Sequence, residues 1–347
     1  MKALLTAVIF AVSILGSAWG QTAKPTTLAD LAKYTGPDRE RILYDGARRE
    51  GKVVWYTSLV PYKEIGKFFE SKYPGVTVET YRANAVEIAG RVLTETRSKR
   101  YVVDAIETTP GALMIFRDNQ LLMPYTSRHL AEYPDGSKEG VSGGLVLWTT
   151  DRESYIGVGY NKNGVSTADV PKNFDDLLKP ALKGKMGVGD AETEARIVGA
   201  MLKAKGESFV RRLKEQDVRL YGVTGPGLNE LIVTGEVPLS FAAFSTNIGH
   251  SVAKGAPVAW VAMDLAVANA GGAAISARAQ RPHAALLLTD FLLSPEGQKM
   301  LTEKFRYGSP VKDYGFVRWY PEKGLTTSEY TERQDRWLKL LLEITRR

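Results

Sequence analysis

The sequence predicts an α/β protein of two lobes, each a mixed sheet flanked by helices, with a hinge and a cleft between the lobes. Three observations support this fold class. Strand patterns alternate with amphipathic helix patterns over residues 52–107, and a second alternating series follows over 155–253. Between the two series, residues 133–144 are rich in Gly, Pro, Ser and Asp, as expected of a connection. Because residues 258–268 should then return the chain to the first lobe, the chain crosses between the lobes twice, and this double connection forms the hinge.

Each series is predicted in detail from its periodicity. The first should contain strands at 53–56, 76–81 and 102–107 and helices at 62–73 and 86–98. The second should contain strands at 155–160, 186–189, 218–222 and 237–241 and helices at 192–205, 228–234 and 247–253. Alternation of this kind produces parallel strands, and ligands of such sheets bind beyond the carboxyl ends of the strands.

The predicted organisation has six parts. In chain order they are a signal peptide at 1–20, an N-terminal helical cap at 21–51, the first part of lobe 1 at 52–150, lobe 2 at 151–262, a return to lobe 1 at 263–315 and a helical tail at 316–347. Gly36-Pro37 divides the cap into two helices. In the tail, a Thr326-to-Glu329 capping pattern precedes an amphipathic helix, whose apolar face we expect to pack on its parent lobe rather than on a partner.

The N-terminus has the features of a cleavable signal peptide. Lys2 is followed by an apolar run over residues 3–15, and Ala18-Trp19-Gly20 places small residues at positions minus three and minus one of a cleavage site. The run is too short for a transmembrane helix, although a retained membrane anchor is the alternative. The chain has no cysteine, which excludes disulfides and a cysteine-linked lipid anchor. We therefore expect cleavage near Gly20-Gln21 and a soluble, monomeric periplasmic protein.

The composition is that of a folded globular protein. The 347 residues are 44% hydrophobic and 24% charged, which is enough for one large or two medium cores. The formal net charge is +7, but the Lys and Arg residues are scattered among acidic residues, which argues against nucleic-acid binding. A mild positive field of this kind would assist the approach of an anionic ligand.

The most specific pattern lies near the end of the chain, over residues 281–310. Pro282 can open a helix, and apolar residues then recur at three- and four-residue steps up to Leu293. Ser294-Pro295 ends this helix and begins another. The segment as a whole, RPHAALLLTDFLLSPEGQKMLTEKFRYGSP, resembles the late helices of bacterial extracellular solute-binding proteins that serve ABC importers.

Further segments resemble the same family in the same order along the chain. GKVVWYTSL at 51–59 is similar to the family's first strand and ligand loop, and the other matches are YNK at 160–162, LKGKMGV at 182–188 and TGEV at 234–237. The resemblance covers residues 51–310 and points to the branch that binds ferric ions and small anions, which has the type II periplasmic-binding fold. It implies a receptor without cofactor that binds one small ligand in the cleft and delivers it to an inner-membrane ABC permease.

Five loops that follow strands and begin helices supply the candidate ligand contacts. Four of them are Thr57-Ser58, Thr108-Thr109, Thr224-Gly225 and Ser245-Thr246-Asn247. The fifth is the loop at 190–193, which contains Thr193 and is less favourable to an anion because of its acidic residues. The free backbone N–H groups and the positive dipole end at a helix start bind anions. Ser and Thr are equally common there as simple N-caps. Because all five loops should lie at the same edge of their sheets, we predict that their polar residues contact the ligand.

Two arginines and a tyrosine complete the predicted site. Arg82 follows the second strand and Arg196 lies near the start of the helix at 192, so each could bind a carboxylate or phosphate in a bidentate pair. A solvated surface arginine is the alternative for both. Within the resemblance, Tyr155 occupies roughly the place where ferric-binding relatives carry an anion-holding arginine. Its phenol could hydrogen-bond to a ligand oxygen or stack on an organic ligand.

Iron is the alternative ligand that the resemblance raises. Ferric-binding members hold the metal with two adjacent tyrosines in the loop where this chain reads FAAFSTN, at 241–247, so both phenolates are missing. Fe(III) prefers anionic oxygen donors, which Tyr56, Tyr62 and Tyr155 could supply only as atypical ligands. We therefore favour an organic or phosphorus-containing anion over iron.

Three further features of the sequence concern the ligand, a metal site and catalysis. Phe241, Phe244 and Trp148 could form an apolar wall for a ligand with a carbon skeleton. The three histidines are far apart, without the spacing of a metal site. The chain has no GxSxG elbow and no Walker A loop, so we predict that it is not an enzyme, with an enzyme on the same fold as the alternative.

Overall fold

The computed structural model describes Pro25 and residues 27–346. The predicted signal peptide and its cleavage position lie outside the described residues. The first part of the chain contains the two cap helices and then the first alternating series, in the order α1 (Leu28–Lys33), α2 (Arg39–Glu50), β1 (Lys52–Thr57), α3 (Tyr62–Lys72), β2 (Thr77–Arg82), α4 (Ala85–Arg97), β3 (Ala105–Thr108) and α5 (Pro110–Asp118).

The rest of the chain contains nine strands and seven helices within the described residues. In order they are β4 (Lys138–Val141), β5 (Leu145–Asn161), β6 (Gly187–Gly189), α6 (Glu192–Lys205), α7 (Glu207–Arg212), β7 (Val218–Tyr221), α8 (Gly225–Thr234), β8 (Leu239–Phe244), α9 (Ser245–Ala253), β9 (Val258–Val261), β10 (Ala266–Ile275), α10 (Pro282–Leu293), α11 (Pro295–Lys299), β11 (Arg318–Trp319), α12 (Thr327–Ile344) and β12 (Thr345–Arg346). Short 3₁₀ turns lie at Leu130–Glu132, Asp135–Ser137, Ser142–Gly144, Asp175–Leu178, Pro180–Leu182 and Leu213–Gln216, and a π-helical turn at Met300–Lys304 extends α11.

The predicted α/β alternation is confirmed, and the helix predicted at 192–205 has the same bounds in the structure. The largest difference is β5, which has 17 residues where the sequence predicted a strand of six. Its first half, LVLWTTDRES, contains three consecutive charged residues that a periodicity argument assigns to a loop. In the structure all three residues are buried, and Arg152 pairs with Glu107 of β3 while Glu153 pairs with Arg318 of β11, so the strand continues through them.

The sheets are mixed. β1 pairs in parallel with β2 and β3, while β10 pairs in antiparallel fashion with β3 and β5. The second half of β5 leaves β10 and pairs with β8 and β9. A smaller parallel sheet contains β6, β7 and β12. β5 and β10 therefore run side by side between the two lobes, and the lobe boundary predicted at 150/151 falls inside β5.

The N-terminal cap is held by burial of its apolar stripe. Leu43 and Ala47 of α2 are fully buried among residues of α10, such as Leu287, and of α3. Gly51 ends α2 in the left-handed conformation, with a φ of 76° that glycine adopts without strain. Within the described residues, no helix is both long and apolar enough to cross a lipid bilayer.

The C-terminal tail contacts both lobes. α12 begins with the predicted capping box at Thr326 and packs chiefly on α6, where the ring of Trp337 occupies the space left by the absent side chain of Gly199. Its start contacts the other lobe, because Thr327 Oγ1 donates to Asp118 Oδ2 at 2.5 Å. The apolar face of the tail helix is buried within the protein, while the polar start of α12 reaches α5.

Gly297 explains the most specific segment of the sequence. A Cβ atom at this position would lie 2.0 Å from the carbonyl oxygen of Phe291 and 3.0 Å from that of Leu292, at the corner between α10 and α11.

We expect Gly297→Ala to lower the free energy of unfolding by about 1–3 kcal/mol in urea titration, because the backbone must move. Gly90→Ala is the matched control: that helical glycine faces open space, so alanine should be neutral or stabilising. Equal effects of both changes would contradict this explanation.

Candidate ligand-binding site

A cavity lies where β5 and β10, the strands that run between the lobes and are called the hinge strands below, meet the starts of α6, α8 and α9. It has a volume of about 540 Å³, in the range of pockets that hold small organic ligands. Its walls come from the loop after β1, the hinge strands β5 and β10, the starts of α6, α8 and α9, and the segment after α11. The lining residues are Val60, Pro61, Arg152, Ser154, Thr193, Thr224, Gly225, Pro226, Phe244, Thr246, Asn247, His250, Asn269, Phe305 and Tyr307.

Three helix N-termini contribute to this cavity. Thr193 lies in the first turn of α6, Thr224 is the N-cap of α8, and Thr246 and Asn247 lie in the first turn of α9. The Thr224 hydroxyl makes no capping bond, so it does not satisfy the free N–H groups of α8. Unsatisfied N–H groups and the positive ends of three helix dipoles make this wall favourable to negative charge.

Arg152 is the cation of the cavity and lies on the central hinge strand. The residue is 6% exposed, and its Nε donates to Glu107 Oε1 at 3.0 Å. Its Nη2 donates to Ser58 Oγ at 3.0 Å, and the guanidinium carbon lies 5.4 Å from the centre of the Tyr307 ring. Nη1 has no hydrogen bond to any residue that the structure describes. The guanidinium is therefore fixed along one edge while one nitrogen stays available to a ligand.

Asn269 on β10 is oriented by a residue outside the cavity. Arg196 Nη1 donates to Asn269 Oδ1 at 2.8 Å, which assigns the oxygen of this amide to the arginine. The amide nitrogen, with two donors, is left for the cavity. Arg196 itself is 7% exposed and does not line the cavity, so its positive charge lies directly behind Asn269.

The loop predicted to bind an anion after β1 already binds a carboxylate of the protein. Glu107 is fully buried, and its Oε2 accepts from Thr57 Oγ1 at 2.6 Å and from the backbone N–H groups of Ser58 and Leu59 at 3.1 and 3.2 Å. Thr57 is itself fully buried. Ser58 reaches the cavity only through its hydrogen bond with Arg152.

The structure brings four of the predicted contacts together and places the others elsewhere. Thr193, Thr224, Thr246 and Asn247 line the cavity, with Ser58 and Arg196 one contact away. The predicted residues that do not line it have other surroundings. Thr108 is buried, Thr109 precedes α5, Arg82 is exposed at the end of β2, Tyr155 donates through its phenol to Glu153, and Ser245 Oγ accepts from the Tyr155 N–H at 2.9 Å.

Two further networks flank the cavity. Thr246 Oγ1 donates to Ser154 Oγ at 2.8 Å, which ties the start of α9 to the hinge strand. Thr193 Oγ1 donates to Glu194 Oε2 at 2.7 Å, and burial raises the pKa of Glu194 while its Oε1 has no partner among the described residues. The pKa of His250 is lowered by partial burial and then by the nearby charges of Arg306 and Lys254.

An aromatic wall faces the polar groups. Phe244, Phe305 and Tyr307 line the cavity, whereas Phe241 and Trp148, which the sequence suggested for this role, are buried in the core. Tyr307 is the tyrosine that lines this cavity. Tyr56, which the sequence offered as an atypical iron ligand, instead donates through its phenol to the buried Glu95 at 2.7 Å. Among the described residues, no group of three or more His, Cys, Asp or Glu side chains is placed to hold a metal ion.

The residues that sequence reasoning missed share one property. Arg152 and Asn269 are polar residues in the middle of strands, where neither loop position nor helix start draws attention to them. The available signal was the run Asp151-Arg152-Glu153 between two strand-like segments. A charged run of this kind is most often a solvated loop, so the sequence alone does not indicate a buried strand there.

A second cavity of about 290 Å³ lies between α2, α3 and α10. Two ion pairs lie in it: Arg39 Nε lies 2.7 Å from Asp290 Oδ2, and Lys72 contacts Glu296.

Comparison with solved structures supports the two-lobed periplasmic-binding fold. Iron-bound HitA from Pseudomonas aeruginosa is 20% identical, with a TM-score of 0.64 over 84% of this chain and 99% of that chain. AfuA from Actinobacillus pleuropneumoniae, with fructose-6-phosphate bound, is 20% identical, with a TM-score of 0.62 over 85% and 99%. The Trichodesmium protein IdiA (FutA), in complex with iron and citrate, is 17% identical, with a TM-score of 0.65 over 85% and 99%. Identities this low establish the fold alone.

Sequence comparison identifies the family. Comparison with curated proteins gave no significant match. The sequence pattern described as "Bacterial extracellular solute-binding protein" matches residues 60–305, which is more than half of the chain. This match agrees with the cleft between two lobes, the hinge strands and the order of the segments along the chain. The protein therefore belongs to the family of bacterial extracellular solute-binding proteins.

Proposed function

We propose that this solute-binding protein captures an organic or phosphorus-containing anion in the hinge cavity, by closure of the two lobes, and delivers it to an inner-membrane ABC permease. It acts in the periplasm after removal of its signal peptide, as a monomer without catalytic activity. The observation that carries the proposal is the free Nη1 of the buried Arg152, in the same cavity as three helix N-termini. Both features favour negative charge, and they come from different elements.

The lining residues also indicate how such an anion would be held. Arg152 and Asn269 would donate from the hinge strands, while Thr224 and Asn247 would donate from the second lobe. The remaining wall, with Phe244, Phe305 and Tyr307, fits a ligand with an apolar part. Closure would bring the loop at Val60 toward α8 and α9, because both lie on the rim of the same cavity.

Ferric iron is the second candidate, because HitA and IdiA were solved with iron. The lining has one phenol, Tyr307, whose pKa is raised by burial, so it loses its proton less readily than a free tyrosine. The other polar groups are hydroxyls, amides, an imidazole and a guanidinium, whereas Fe(III) prefers anionic oxygen ligands. The AfuA structure with fructose-6-phosphate supports the possibility of a phosphorylated ligand on this fold. The donor set therefore favours an anion over iron.

A thermal-shift screen of the purified mature protein tests this proposal. The panel contains carboxylates, phosphonates, sugar phosphates, polyamines and ferric salts. A ligand at about 100 times its Kd stabilises the folded state by about 2.7 kcal/mol, so we expect at least one anion to raise the melting temperature by several degrees. Stabilisation by polyamines or ferric salts without any anion would overturn the proposal.

Small-angle scattering tests closure of the lobes. The protein should contract when the stabilising anion is added, and an unchanged radius of gyration would contradict closure.

A further inference from the structure

Gly271 on β10 accounts for the position of the Arg152 guanidinium. A glycine inside a central strand often marks a place where another group approaches the backbone closely. We propose that Gly271 is a positioning residue of the binding site: its missing side chain leaves the space in which Arg152 meets Glu107, and so directs Nη1 of Arg152 into the cavity. This inference rests on the proposed function, and it adds a residue that does not itself line the cavity.

The ion pair between Glu107 and Arg152 joins two strands that are not neighbours. β10 lies between them in the sheet, with β3 on one side and β5 on the other. Neighbouring strands are about 4.8 Å apart, so β3 and β5 are separated by about 10 Å and the two side chains must meet over β10. Gly271 is directly opposite Arg152 in the pairing of β10 with β5. The ion pair therefore crosses β10 at a residue without a side chain.

A side chain at position 271 would occupy the place where the two charged groups meet. A Cβ atom there would overlap Glu107 Oε1 and lie 2.7 Å from both Cζ and Nε of Arg152. Carbon atoms in van der Waals contact are about 3.5–4.0 Å apart, so both distances are too short. In the structure, Arg152 Nε donates to that same Oε1 at 3.0 Å. The Cβ atom and this hydrogen bond cannot exist together, so the observed position of the guanidinium requires glycine.

Of the two partners, Arg152 is the one that would move. The Glu107 carboxylate also accepts from Thr57 Oγ1 and from the N–H groups of Ser58 and Leu59, which hold it in place from the end of β1. Arg152 has a long side chain, and its hydrogen bond outside the ion pair is the one to Ser58 Oγ. Displacement of the guanidinium would turn Nη1 away from its present direction, and a hydrogen bond weakens steeply when donor and acceptor are misaligned.

The backbone at Gly271 does not itself require glycine. Gly271 is not among the described glycines with a positive φ, so alanine can adopt its conformation without strain. The effect of an added methyl group would therefore come from the space that it fills. A substitution at this position thus reports on the ion pair rather than on the backbone.

The next residue, Gly272, provides a matched control. Its missing side chain faces apolar groups, because a Cβ atom there would lie 2.7 Å from Leu113 Cδ1 and 2.8 Å from Trp148 Cδ1. Both of those side chains belong to the hydrophobic core. Gly272→Ala therefore crowds its surroundings to a similar degree as Gly271→Ala, but it leaves the ion pair alone.

Calorimetry on the two alanine variants tests the role of Gly271. The probe is the carboxylate, phosphonate or sugar phosphate of the thermal-shift panel that stabilises the wild-type protein most. Gly271→Ala should weaken its binding about tenfold or more, because the charge-assisted donor is displaced. Gly272→Ala should lower the melting temperature by several degrees, because it overpacks the core, and should leave the affinity nearly unchanged.

A second comparison covers the case in which Gly271→Ala does not fold. In the double variant Arg152→Ala with Glu107→Gln the ion pair is absent, and a methyl group at position 271 fills space that the guanidinium has left. Adding Gly271→Ala to this double variant should therefore shift the melting temperature much less than adding it to the wild-type protein. An equal shift in both backgrounds would show that Gly271 is needed for some reason other than the ion pair.

The outcomes separate this inference from the proposed function. If the wild-type protein binds an anion and folded Gly271→Ala binds it equally well, Gly271 does not position Arg152 for the ligand, while the proposed function stands. If both alanine variants weaken binding to the same extent, the loss comes from general crowding of β10 and the inference is wrong. If no anion of the panel binds to the wild-type protein, the proposed function fails and the role of Gly271 in binding fails with it.

Discussion

Replacing Arg152 with methionine is expected to weaken binding of the anion that gives the largest thermal shift in the panel about a hundredfold, and to lower the free energy of unfolding by about 3–5 kcal/mol. The loss of binding follows from removal of the charge-assisted donor in a closed cleft. The loss of stability follows because Glu107, which is fully buried, loses its ion-pair partner at 3.0 Å and is left in the interior without that donor. Calorimetry measures the first effect and urea unfolding measures the second.

The double variant Arg152→Met with Glu107→Gln separates these two effects. Removing both charges of a buried pair is often close to neutral, so most of the lost stability should return. Binding should not return, because the donor Nη1 is still absent. Wild-type affinity in the double variant would show that Arg152 does not contact the anion. Undiminished stability of the single variant would show that Glu107 does not need its partner.

Replacing Arg39 with methionine should lower the free energy of unfolding by about 3–5 kcal/mol without changing ligand affinity. Arg39 opens α2 and is fully buried, with hydrogen bonds from its guanidinium to Asp290 Oδ2 at 2.7 Å and to the carbonyl oxygens of Leu31, Tyr34 and Thr126. These bonds tie the cap to α10 and to the segment after α5. The methionine side chain fills similar volume but leaves three carbonyls and a carboxylate without their donor.

Arg41→Met is the control for this change. Arg41 lies two residues further along the same helix, and its side chain is 61% exposed. Its partner Asp45 is on the same helix, and its partner Asp38 directly precedes that helix. Exposed ion pairs of this kind contribute little to stability, so the free energy of unfolding measured in urea should be nearly unchanged. If Arg39→Met proved equally silent, the cap would be held by its apolar stripe alone.

The elements that the sequence predicted well are those whose signal is local. The helix at 192–205 and the capping box at Thr326 agree with the structure, because apolar spacing and cap chemistry depend on residues within a few positions of each other. The same holds for the corner at Ser294, where the side chain accepts from the Gly297 N–H at 3.1 Å. In each case the interaction that forms the element lies inside the element.

The candidate site was only partly accessible to the same reasoning. Helix starts at one edge of the sheets follow from strand order, and Thr193, Thr224, Thr246 and Asn247 do line one cavity. The loop at Thr57 shows the limit of this argument. Its sequence is that of an anion-binding loop, and it does bind an anion, but the anion is the side chain of Glu107 from another strand.

By itself, then, the sequence determined the α/β alternation, the hinge implied by two lobe crossings, and a set of hydroxyl-bearing helix starts that face one edge. The tertiary structure alone decided which charges meet there. Arg152 and Glu107 are 45 residues apart, and Arg196 and Asn269 are 73 apart. Burial of a charge is tolerable only beside a partner with suitable geometry, and that geometry exists only once distant strands are paired. The periodicity of a sequence indicates which apolar residues are buried, but it does not indicate which charged groups are buried together.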